Sequence, residues 1–547
     1  MVDFLRMDKS TPVTAPRVQT RFYDRFAAVA TRDSLALLLL CLLPILLYIP
    51  AMGSPFERDE GAYATIAQGL LDGKVPYRDL FDNKPPLVYG WYALSFSVFG
   101  ESVWAPRLVA AALLSLTTLA VFGQAKLVMP RGVAFTAAAV FAVSTGLPWV
   151  ALHANTEAYM LLPLVTSLIA FTMGIRSGRL WWFVACGALG GLAVMTKQVA
   201  MWNVLALAVV AASWRPQDPG RLRERLAPAL CVLGGAIASI VAVMAPFIYN
   251  GSAGDFLYAT FAYNWMYVGA VSMVERMLNA SYGLLLFFGI LAPVIVAALL
   301  GLAALWKERR RPAYYALAAW AIGSGVGVAT GGRFFPHYFL HLLPALAILS
   351  AVVFYDGWQR RRLMTVSKPI LAVAVGLVVI SAATNGVLYA FPRQAEHAVA
   401  QNVYHQKEWE KNSEHLAAYI EERTEPGDTI FNLGREAQIY FYADRQPPGR
   451  YFYDWAVNYD ERNLATVIAD LEEARPKYIV DSALMPLFED YDESHPPQLM
   501  EFIEGNYDYV GRIYFADVYR LASGDGETRK RTGSELEPLM PHYDPLD

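Results

Sequence analysis

The sequence is poor in the residues that build a disulfide framework or a thiolate metal site. Only three cysteines occur among the 547 residues, Cys41, Cys186 and Cys231, and each lies inside an apolar run. The polar segment that follows residue 391 contains no cysteine. These positions exclude a disulfide-stapled domain and a cysteine-based metal centre as the basis of function.

Charge and several common catalytic motifs are also scarce. Charged residues make up 17% of the chain, the formal net charge is −4, and no basic patch lies outside the loops that flank apolar runs. No nucleic-acid partner is therefore predicted. The chain has no glycine-rich phosphate loop, no Ser/His/Asp arrangement and no HExxH motif.

Long apolar runs dominate what is present. The composition is 55% hydrophobic, and such runs recur from about residue 34 to residue 391 and then stop. We predict an all-α polytopic membrane domain of about 11 transmembrane helices with a small C-terminal α/β soluble domain. The predicted spans are 34–52, 105–127, 132–150, 158–174, 181–195, 199–214, 227–248, 283–305, 313–329, 338–355 and 369–391.

The predicted domain organisation follows from these runs. Residues 1–33 form a polar cytoplasmic segment without the pattern of a cleavable signal, and residues 34–391 form the membrane domain. Residues 392–523 alternate helical and strand patterns, with a helix over 395–424, a strand near 429–432, a helix near 461–474 and strands near 477–481 and 508–521. Residues 524–547 are predicted to be disordered because they are polar and rich in Glu, Pro and Gly.

The distribution of cations predicts the orientation. Loops assigned to the inside carry clustered cations, namely Arg176 and Arg179, Arg215 to Arg225, Lys307 to Arg311, and Arg360 to Lys368. Loops assigned to the outside, 53–104, 151–157, 196–198, 249–282 and 330–337, carry few. Under the positive-inside rule the N-terminus is cytoplasmic and the C-terminal domain is periplasmic or extracellular. The apolar stretch 87–99 is short for a span, and it is predicted to be a re-entrant or interfacial helix.

The first outer loop, 53–104, is the richest in chemistry. Its segment from Glu57 to Pro86 opens a short helix at Asp59 and Glu60 and ends in Asn-Lys-Pro-Pro. An apolar face at helical spacing predicts that this helix lies in the interface plane, with both acids at the water–lipid boundary. The alternative interpretation is that Asp59 is only a helix N-cap.

Further polar groups fall in the outer loops or at the helix starts beside them. They are Lys84, Glu157, Lys197, Arg333, His337 and Tyr338. Each has a structural alternative, since Glu157 could serve the helix dipole and the cations could snorkel or end helices. Taken together, acids facing cations at one membrane face favour a hydroxyl activated by a carboxylate and a phosphate leaving group held by Lys or Arg. Asp59 and Glu60 are the catalytic candidates, the six others are candidates for binding donor phosphate or substrate, and no metal ligands are assigned.

Three stretches of the sequence resemble those of a known protein family. The stretch RDEGAYATIAQGLLDGKVPYRDLFDNKPPLVYGWYALSFSVFG, followed by WAPRL, resembles the first outer loop of the GT-C glycosyltransferases. It is most similar to the branch that contains the protein O-mannosyltransferases (glycosyltransferase family 39) and the lipid A aminoarabinose and Rhizobium-type lipopolysaccharide sugar transferases. HANTEAYMLLP and GGRFFPHYFLHLLP resemble later loops, so the similarity covers roughly residues 34–355.

The resemblance implies an inverting transfer of a sugar from a polyprenyl-phosphate donor to a glycan, lipid or protein acceptor in a bacterial inner membrane. By that implication Asp59 would be the base on the acceptor hydroxyl, Glu60 would help to position the acceptor, and Lys84 would bind the donor phosphate. Glu157 matches the second acidic position. Relatives that use a divalent metal hold it with an acid and a histidine, for which His153 and His337 are the candidates here. A lipid-linked sugar flippase or transporter is the alternative from another functional class, although the sequence shows no obvious internal repeat.

Overall fold

The computed structural model describes most of the membrane domain and most of the C-terminal domain. The described residues are 18–147, 153–213, 222–307, 312–360, 409–453, 455–458, 460–482, 495–513 and 516–523. The predicted span 369–391 and the predicted tail 524–547 lie outside these residues.

The membrane domain is a bundle of helices. They are α1 (Val18–Tyr48), α2 (Arg58–Leu71), α3 (Leu87–Phe99), α4 (Trp104–Val128), α5 (Arg131–Ser144), α6 (Thr156–Ser177), α7 (Leu180–Val194), α8 (Met201–Ser213), α9 (Leu222–Tyr249), α10 (Ala253–Leu257), α11 (Tyr263–Gly269), α12 (Met273–Lys307), α13 (Pro312–Thr330) and α14 (Leu343–Arg360). Short 3₁₀ or π turns at Ile49–Ala51, Gln198–Ala200, Tyr258–Ala262 and Pro336–Leu342 adjoin them.

Each predicted span before residue 360 overlaps a helix within its described residues, but the helices differ in length. Within the described residues, five are long and apolar enough to cross a membrane, and the bent pair Met273–Phe288 and Leu291–Leu305 makes a sixth if it is one span. The helices over 180–194 and 198–213 are shorter apolar elements. The first helix already begins at Val18, inside the segment predicted to be polar and cytoplasmic. The structure also contains the short helix predicted at 87–99 as α3, of 13 residues.

Helix α2 begins with a capping box. Glu57 is the N-cap; its side chain accepts the backbone N–H of Glu60, and the Glu60 carboxylate accepts the backbone N–H of Glu57 at 3.2 Å. This arrangement satisfies two of the N–H groups that a helix start leaves without partners. The interpretation of Asp59 as the N-cap is therefore wrong, and its carboxylate is not used for capping. At the other end, Gly73 has the left-handed φ of +84° typical of a residue that ends a helix.

The surroundings of α2 differ from those of a helix lying in the interface plane. Tyr63, Ile66 and Ala67 are buried as the apolar pattern predicts, whereas Leu70 and Leu71 are exposed. Most of the remaining helix is also buried, because α3 packs on one side and the C-terminal domain on the other. Tertiary contacts thus cover the polar face of α2 as well as its apolar face, which the apolar pattern did not predict.

The C-terminal domain has the predicted α/β character. Its strands are β1 (Ile430–Leu433), β2 (Tyr478–Asp481), β3 (Tyr507–Ile513) and β4 (Ala516–Leu521), in the sheet order β1-β2-β4-β3. Strands β1 and β2 are parallel, and the other neighbours are antiparallel. Its helices are α15 (Trp409–Glu421), α16 (Gln438–Ala443), α17 (Trp455–Asn458), α18 (Arg462–Ala474) and α19 (Pro497–Asn506). The predicted strands and the helix near 461–474 are thus present.

Helix α16 lies directly on α2. A Cβ atom at Gly61 would come within 2.5 Å of the backbone N of Gln438, so only glycine permits this approach. Beside it, Arg58 donates to the buried Glu436 at 2.5 Å across the same boundary. The C-terminal domain therefore packs against the helix that carries the catalytic candidates.

Candidate functional site

Asp59 and Lys84 come together at the head of the bundle. The Asp59 Oδ1 and Lys84 Nζ atoms are 3.8 Å apart, and their side chains are 32% and 15% exposed. Lys84 Nζ also lies 3.8 Å from Asp82 Oδ1 and donates to Asn83 Oδ1 at 3.0 Å. Burial by itself lowers the pKa of Lys84, but Asp59 and Asp82 outweigh it and raise that pKa above its usual range. The ammonium is thus a stable cation next to an accessible carboxylate.

The backbone around Lys84 is held from several sides. The Tyr77 hydroxyl donates to the Lys84 carbonyl at 2.7 Å, and the Tyr89 hydroxyl oxygen lies 3.1 Å from the same carbonyl oxygen. Just after the two prolines, the Leu87 N–H donates to the Met195 carbonyl at 3.1 Å. Tyr77 is fully buried and has a left-handed φ of +71°, a conformation that non-glycine residues adopt only when the surroundings enforce it. These contacts fix the position from which the lysine side chain extends.

Glu60 is buried inside the protein and is not exposed beside Asp59 as the sequence analysis predicted. It is fully buried and forms an ion pair with Arg107, whose Nε and Nη2 donate to its two carboxylate oxygens at 3.0 and 2.6 Å. The Ala154 N–H donates to the same carboxylate at 2.7 Å, and His153 Nδ1 lies 3.5 Å from it. Burial alone would raise the pKa of Glu60, but Arg107, followed by His153, holds it well below its usual range.

These contacts give Glu60 a structural role in place of an acceptor contact. Arg107 also donates to the carbonyls of Ala51, Ser54 and Pro55, so the ion pair ties the end of the first span to α4. Because Glu60 is 0% exposed, a substrate hydroxyl has no access to it. The prediction that Glu60 acts catalytically beside Asp59 therefore disagrees with the structure.

Glu157 and Lys197 form the second charged pair. Lys197 Nζ donates to the Glu157 carboxylate, and both side chains are nearly buried. The Thr156 hydroxyl donates to the same carboxylate at 3.0 Å. The ammonium also lies over the Tyr338 ring, 4.0 Å from its centroid, a cation–π contact. The alternative in which Lys197 snorkels to the membrane surface does not fit this buried pairing.

The remaining candidates lie around these two pairs. His337 contacts the rings of Phe335 and Tyr338, with centroids at 5.9 and 4.8 Å. Arg333 lies over the Tyr267 ring at 4.3 Å. Electrostatic interactions link Asp59 to Lys197 and to His337, and link Lys84 to Tyr267. The structure therefore places the candidates other than Glu60 around two neighbouring charged pairs, Asp59–Lys84 and Glu157–Lys197.

Within the described part of the chain, no three His, Cys, Asp or Glu side chains lie close enough together to hold a metal ion. His153 faces the Glu60 ion pair, whereas His337 packs among aromatic rings. An acid and a histidine do lie side by side at Glu60 and His153, although Arg107 already pairs with that glutamate.

Three residues that sequence reasoning missed shape the site. Arg107 is a lone arginine one turn into an apolar helix, a pattern that could have identified it as a buried ion-pair partner. Asp82 is one of several acids in the first loop, and no local signal singles it out. Tyr453 lies in the C-terminal domain and donates to Asp82 Oδ1 at 2.8 Å. Only the packing of the two domains reveals that contact.

The chain, with its bundle of apolar helices and its small C-terminal α/β domain, has the fold of the GT-C membrane glycosyltransferases. Residues 83–249 match the family model described as dolichyl-phosphate-mannose-protein mannosyltransferase. No curated protein sequence matches the chain significantly.

Solved structures show the same fold. ArnT from Cupriavidus metallidurans bound to undecaprenyl phosphate aligns over 89% of this chain and 98% of its own, with 16% identity and a TM-score of 0.55. Its apo form aligns over 92% and 98%, with 16% identity and a TM-score of 0.53. The oligosaccharyltransferase AglB from Archaeoglobus fulgidus, in complex with an inhibitory peptide and a dolichol-phosphate, aligns over 90% and 74%, with 16% identity and a TM-score of 0.50.

Proposed function

We propose that this chain is an inverting GT-C-type glycosyltransferase that moves a sugar from a polyprenyl-phosphate-linked donor to an envelope acceptor. The acceptor class comprises lipid A or lipopolysaccharide, another glycan, or a protein. The observation that carries the proposal is the accessible Asp59 carboxylate 3.8 Å from the Lys84 ammonium, at the head of a membrane helix bundle. A carboxylate and a phosphate-binding cation are the two groups that such a displacement needs in one place.

The reaction is a single displacement at the anomeric carbon. Asp59 takes the proton of the acceptor hydroxyl while that oxygen attacks the sugar carbon from the side opposite the phosphate. The bond between the sugar carbon and the phosphate oxygen breaks, and its electron pair stays on the polyprenyl phosphate. Lys84 stabilises the negative charge that develops there, assisted by Arg333 on the same side of the site. The configuration at the sugar carbon inverts.

The proposed location follows from the charges. The clustered cations in one set of loops support a cytoplasmic N-terminus and, with it, a site that opens on the outer face of a bacterial inner membrane. A lipid-linked donor reaches this depth by lateral diffusion in the bilayer. The apolar helices that surround the loop provide the lipid-facing surface, as the exposed Leu94 and Val98 of α3 illustrate.

A flippase or transporter is the second candidate, raised by the buried charges within a polytopic bundle. Transporters place their substrate sites near the bilayer midplane between repeats. Here Asp59 lies in the first turn of α2, Lys84 lies between α2 and α3, and Glu157 lies in the first turn of α6. The charged groups thus gather at the helix ends, which favours transfer at a membrane face.

The test is a transfer assay with purified protein in lipid. Radiolabelled polyprenyl-phosphate sugars and envelope lipid extract are supplied to the wild type and to Asp59→Asn, with Asp72→Asn as the matched control. Asp72 is an exposed carboxylate at the opposite end of α2. We expect label to reach an acceptor with the wild type and Asp72→Asn but not with Asp59→Asn.

Each other result has a definite meaning. Transfer by Asp59→Asn at the wild-type rate removes Asp59 as the base. Movement of the lipid-linked sugar across the bilayer without transfer by any form changes the assignment to a flippase.

A further inference from the structure

Asp82 is a buried carboxylate next to the proposed donor-phosphate ligand. It is 2% exposed, and its Oδ1 atom lies 3.8 Å from Lys84 Nζ. Oδ1 accepts the Asn83 N–H at 2.6 Å and the Tyr453 hydroxyl at 2.8 Å, and Oδ2 accepts the Tyr89 hydroxyl at 2.9 Å. The protein thus supplies three donors to a carboxylate that a lysine could otherwise neutralise by direct contact.

Tyr453 reaches this carboxylate from the C-terminal domain through a tight contact between two loops. The Phe81 N–H donates to the Arg450 carbonyl at 2.9 Å, and the Phe81 and Tyr451 rings meet at 5.2 Å. On the domain side, the Phe452 carbonyl accepts the Tyr440 hydroxyl at 2.7 Å. Tyr453 is itself buried, so its hydroxyl is held at Asp82 by the packing of both domains.

The distances around Lys84 indicate what this contact does. A lysine beside a buried carboxylate with spare acceptor capacity closes to about 2.8 Å, because a charge-assisted hydrogen bond is strong in a dry setting. Here Nζ stays 3.8 Å from both Asp82 Oδ1 and Asp59 Oδ1, beyond direct hydrogen-bond distance. The hydroxyl of Tyr453 and the N–H of Asn83 occupy the Asp82 oxygen that faces the ammonium.

We propose that Tyr453 is a positioning residue of the donor-phosphate site, which holds Asp82 so that the Lys84 ammonium remains directed toward the substrate. This inference rests on the proposed function, since it deepens the role of Lys84. It makes the C-terminal domain a component of the site, because that domain supplies the hydroxyl. Without the hydroxyl, Lys84 moves onto Asp82 and away from the donor phosphate.

The first experiment measures Lys84 directly and does not depend on transfer. Full-length protein in lipid nanodiscs is treated with an amine-acylating reagent at alkaline pH, and the rate of modification at Lys84 is followed by peptide mass spectrometry. Only the neutral amine reacts. A closer ion pair stabilises the protonated form of Lys84 and lowers the fraction of neutral amine, so it slows the reaction. We expect Tyr453→Phe to slow the modification by about 10-fold, the effect of one unit in the lysine pKa.

The matched control is Tyr258→Phe. Tyr258 also sends its hydroxyl across the domain boundary to a buried carboxylate, Asp460, at 2.6 Å, but Asp460 does not contact Lys84. The control is expected to leave the Lys84 rate unchanged. Asp82→Asn is expected to accelerate modification, since it removes one of the charges that stabilise the ammonium, and the double variant with Tyr453→Phe is expected to match Asp82→Asn alone.

These outcomes decide the inference in either direction. The inference is overturned if Lys84 in Tyr453→Phe is modified at the wild-type rate. It is also overturned if adding Tyr453→Phe to Asp82→Asn slows the modification by the same factor as adding it to the wild type, because Tyr453 would then not act through Asp82. When the wild type transfers sugar, Tyr453→Phe is also expected to raise the KM for the lipid-linked donor and to leave the acceptor KM unchanged. A wild type that transfers no sugar refutes the proposed function, while the Lys84 rates still settle the role of Tyr453.

Discussion

Replacing Glu60 by glutamine separates a structural carboxylate from a catalytic one. Glu60 and Arg107 are both 0% exposed, and the glutamate receives two guanidinium donors together with backbone N–H groups. The amide keeps the shape and one acceptor but leaves a buried guanidinium without its counter-charge. Breaking a buried pair in this way costs about 3–5 kcal/mol, which is a large part of the stability of a typical domain.

The assay is thermal unfolding of the full chain in lipid nanodiscs, followed by tryptophan fluorescence at a fixed scan rate. We expect Glu60→Gln to unfold at a markedly lower temperature than the wild type. Asp59→Asn is the matched control on the neighbouring residue. Its partner Lys84 is 3.8 Å away and its side chain is 32% exposed, so its loss costs about 1 kcal/mol at most.

The two variants are expected to differ from the wild type in different properties. Asp59→Asn keeps its stability and loses transfer, whereas Glu60→Gln loses stability. A Glu60→Gln protein with wild-type unfolding behaviour and no transfer would refute the structural assignment and return Glu60 to the catalytic role inferred from the sequence.

Three further outcomes follow from the same contacts. Lys84→Ala is expected to reduce kcat/KM for the lipid-linked donor more than for the acceptor, because it removes a phosphate ligand. Steady-state kinetics with each substrate varied in turn measure this, and a change in the acceptor KM alone would contradict it. Gly61→Ala is expected to lower the free energy of unfolding by about 1–3 kcal/mol and to reduce activity, since its Cβ would lie 2.5 Å from the Gln438 backbone. The control is Gly90→Ala, whose Cβ would have nothing within 4 Å and which is expected to be neutral in the same unfolding assay. The Glu60 contribution to stability is expected to be complete above the ordinary carboxyl pKa of 4.5 and to decline as the pH falls below it, because the pKa of Glu60 is lowered in the folded state. The measurement is the unfolding temperature as a function of pH for the wild type and Glu60→Gln. The same acid dependence in both proteins would contradict this expectation.

The parts of the fold that follow from local patterns were predictable. The apolar runs predicted the helices of the membrane domain, and α3 was predicted as a short element from its length alone. In the C-terminal domain, strand β2 and helix α18 were predicted with bounds within about two residues of those observed. The convergence of Asp59, Lys84, Glu157 and Lys197 was also predictable, because the cation distribution assigned their loops to one side of the membrane.

The different surroundings of Asp59 and Glu60 were not predictable from the sequence. Both acids stand in the first turn of one helix, and a helix start alone does not indicate which of them is buried. Arg107 decides this, because it lies on α4 and reaches only one of the two carboxylates. Asp59 was also the N-cap in the alternative interpretation, although the structure gives that role to Glu57.

By itself, the sequence predicted a polytopic membrane protein with an α/β tail and with charged loops at one membrane face. It could do so because hydrophobic length, helical periodicity and charge asymmetry are local properties of a chain. Only the tertiary structure decided that Glu60 is buried with Arg107, that Asp59 remains accessible, and that Tyr453 of the C-terminal domain holds Asp82 beside Lys84. These contacts join residues far apart in the chain, and they depend on how the helices and the two domains pack.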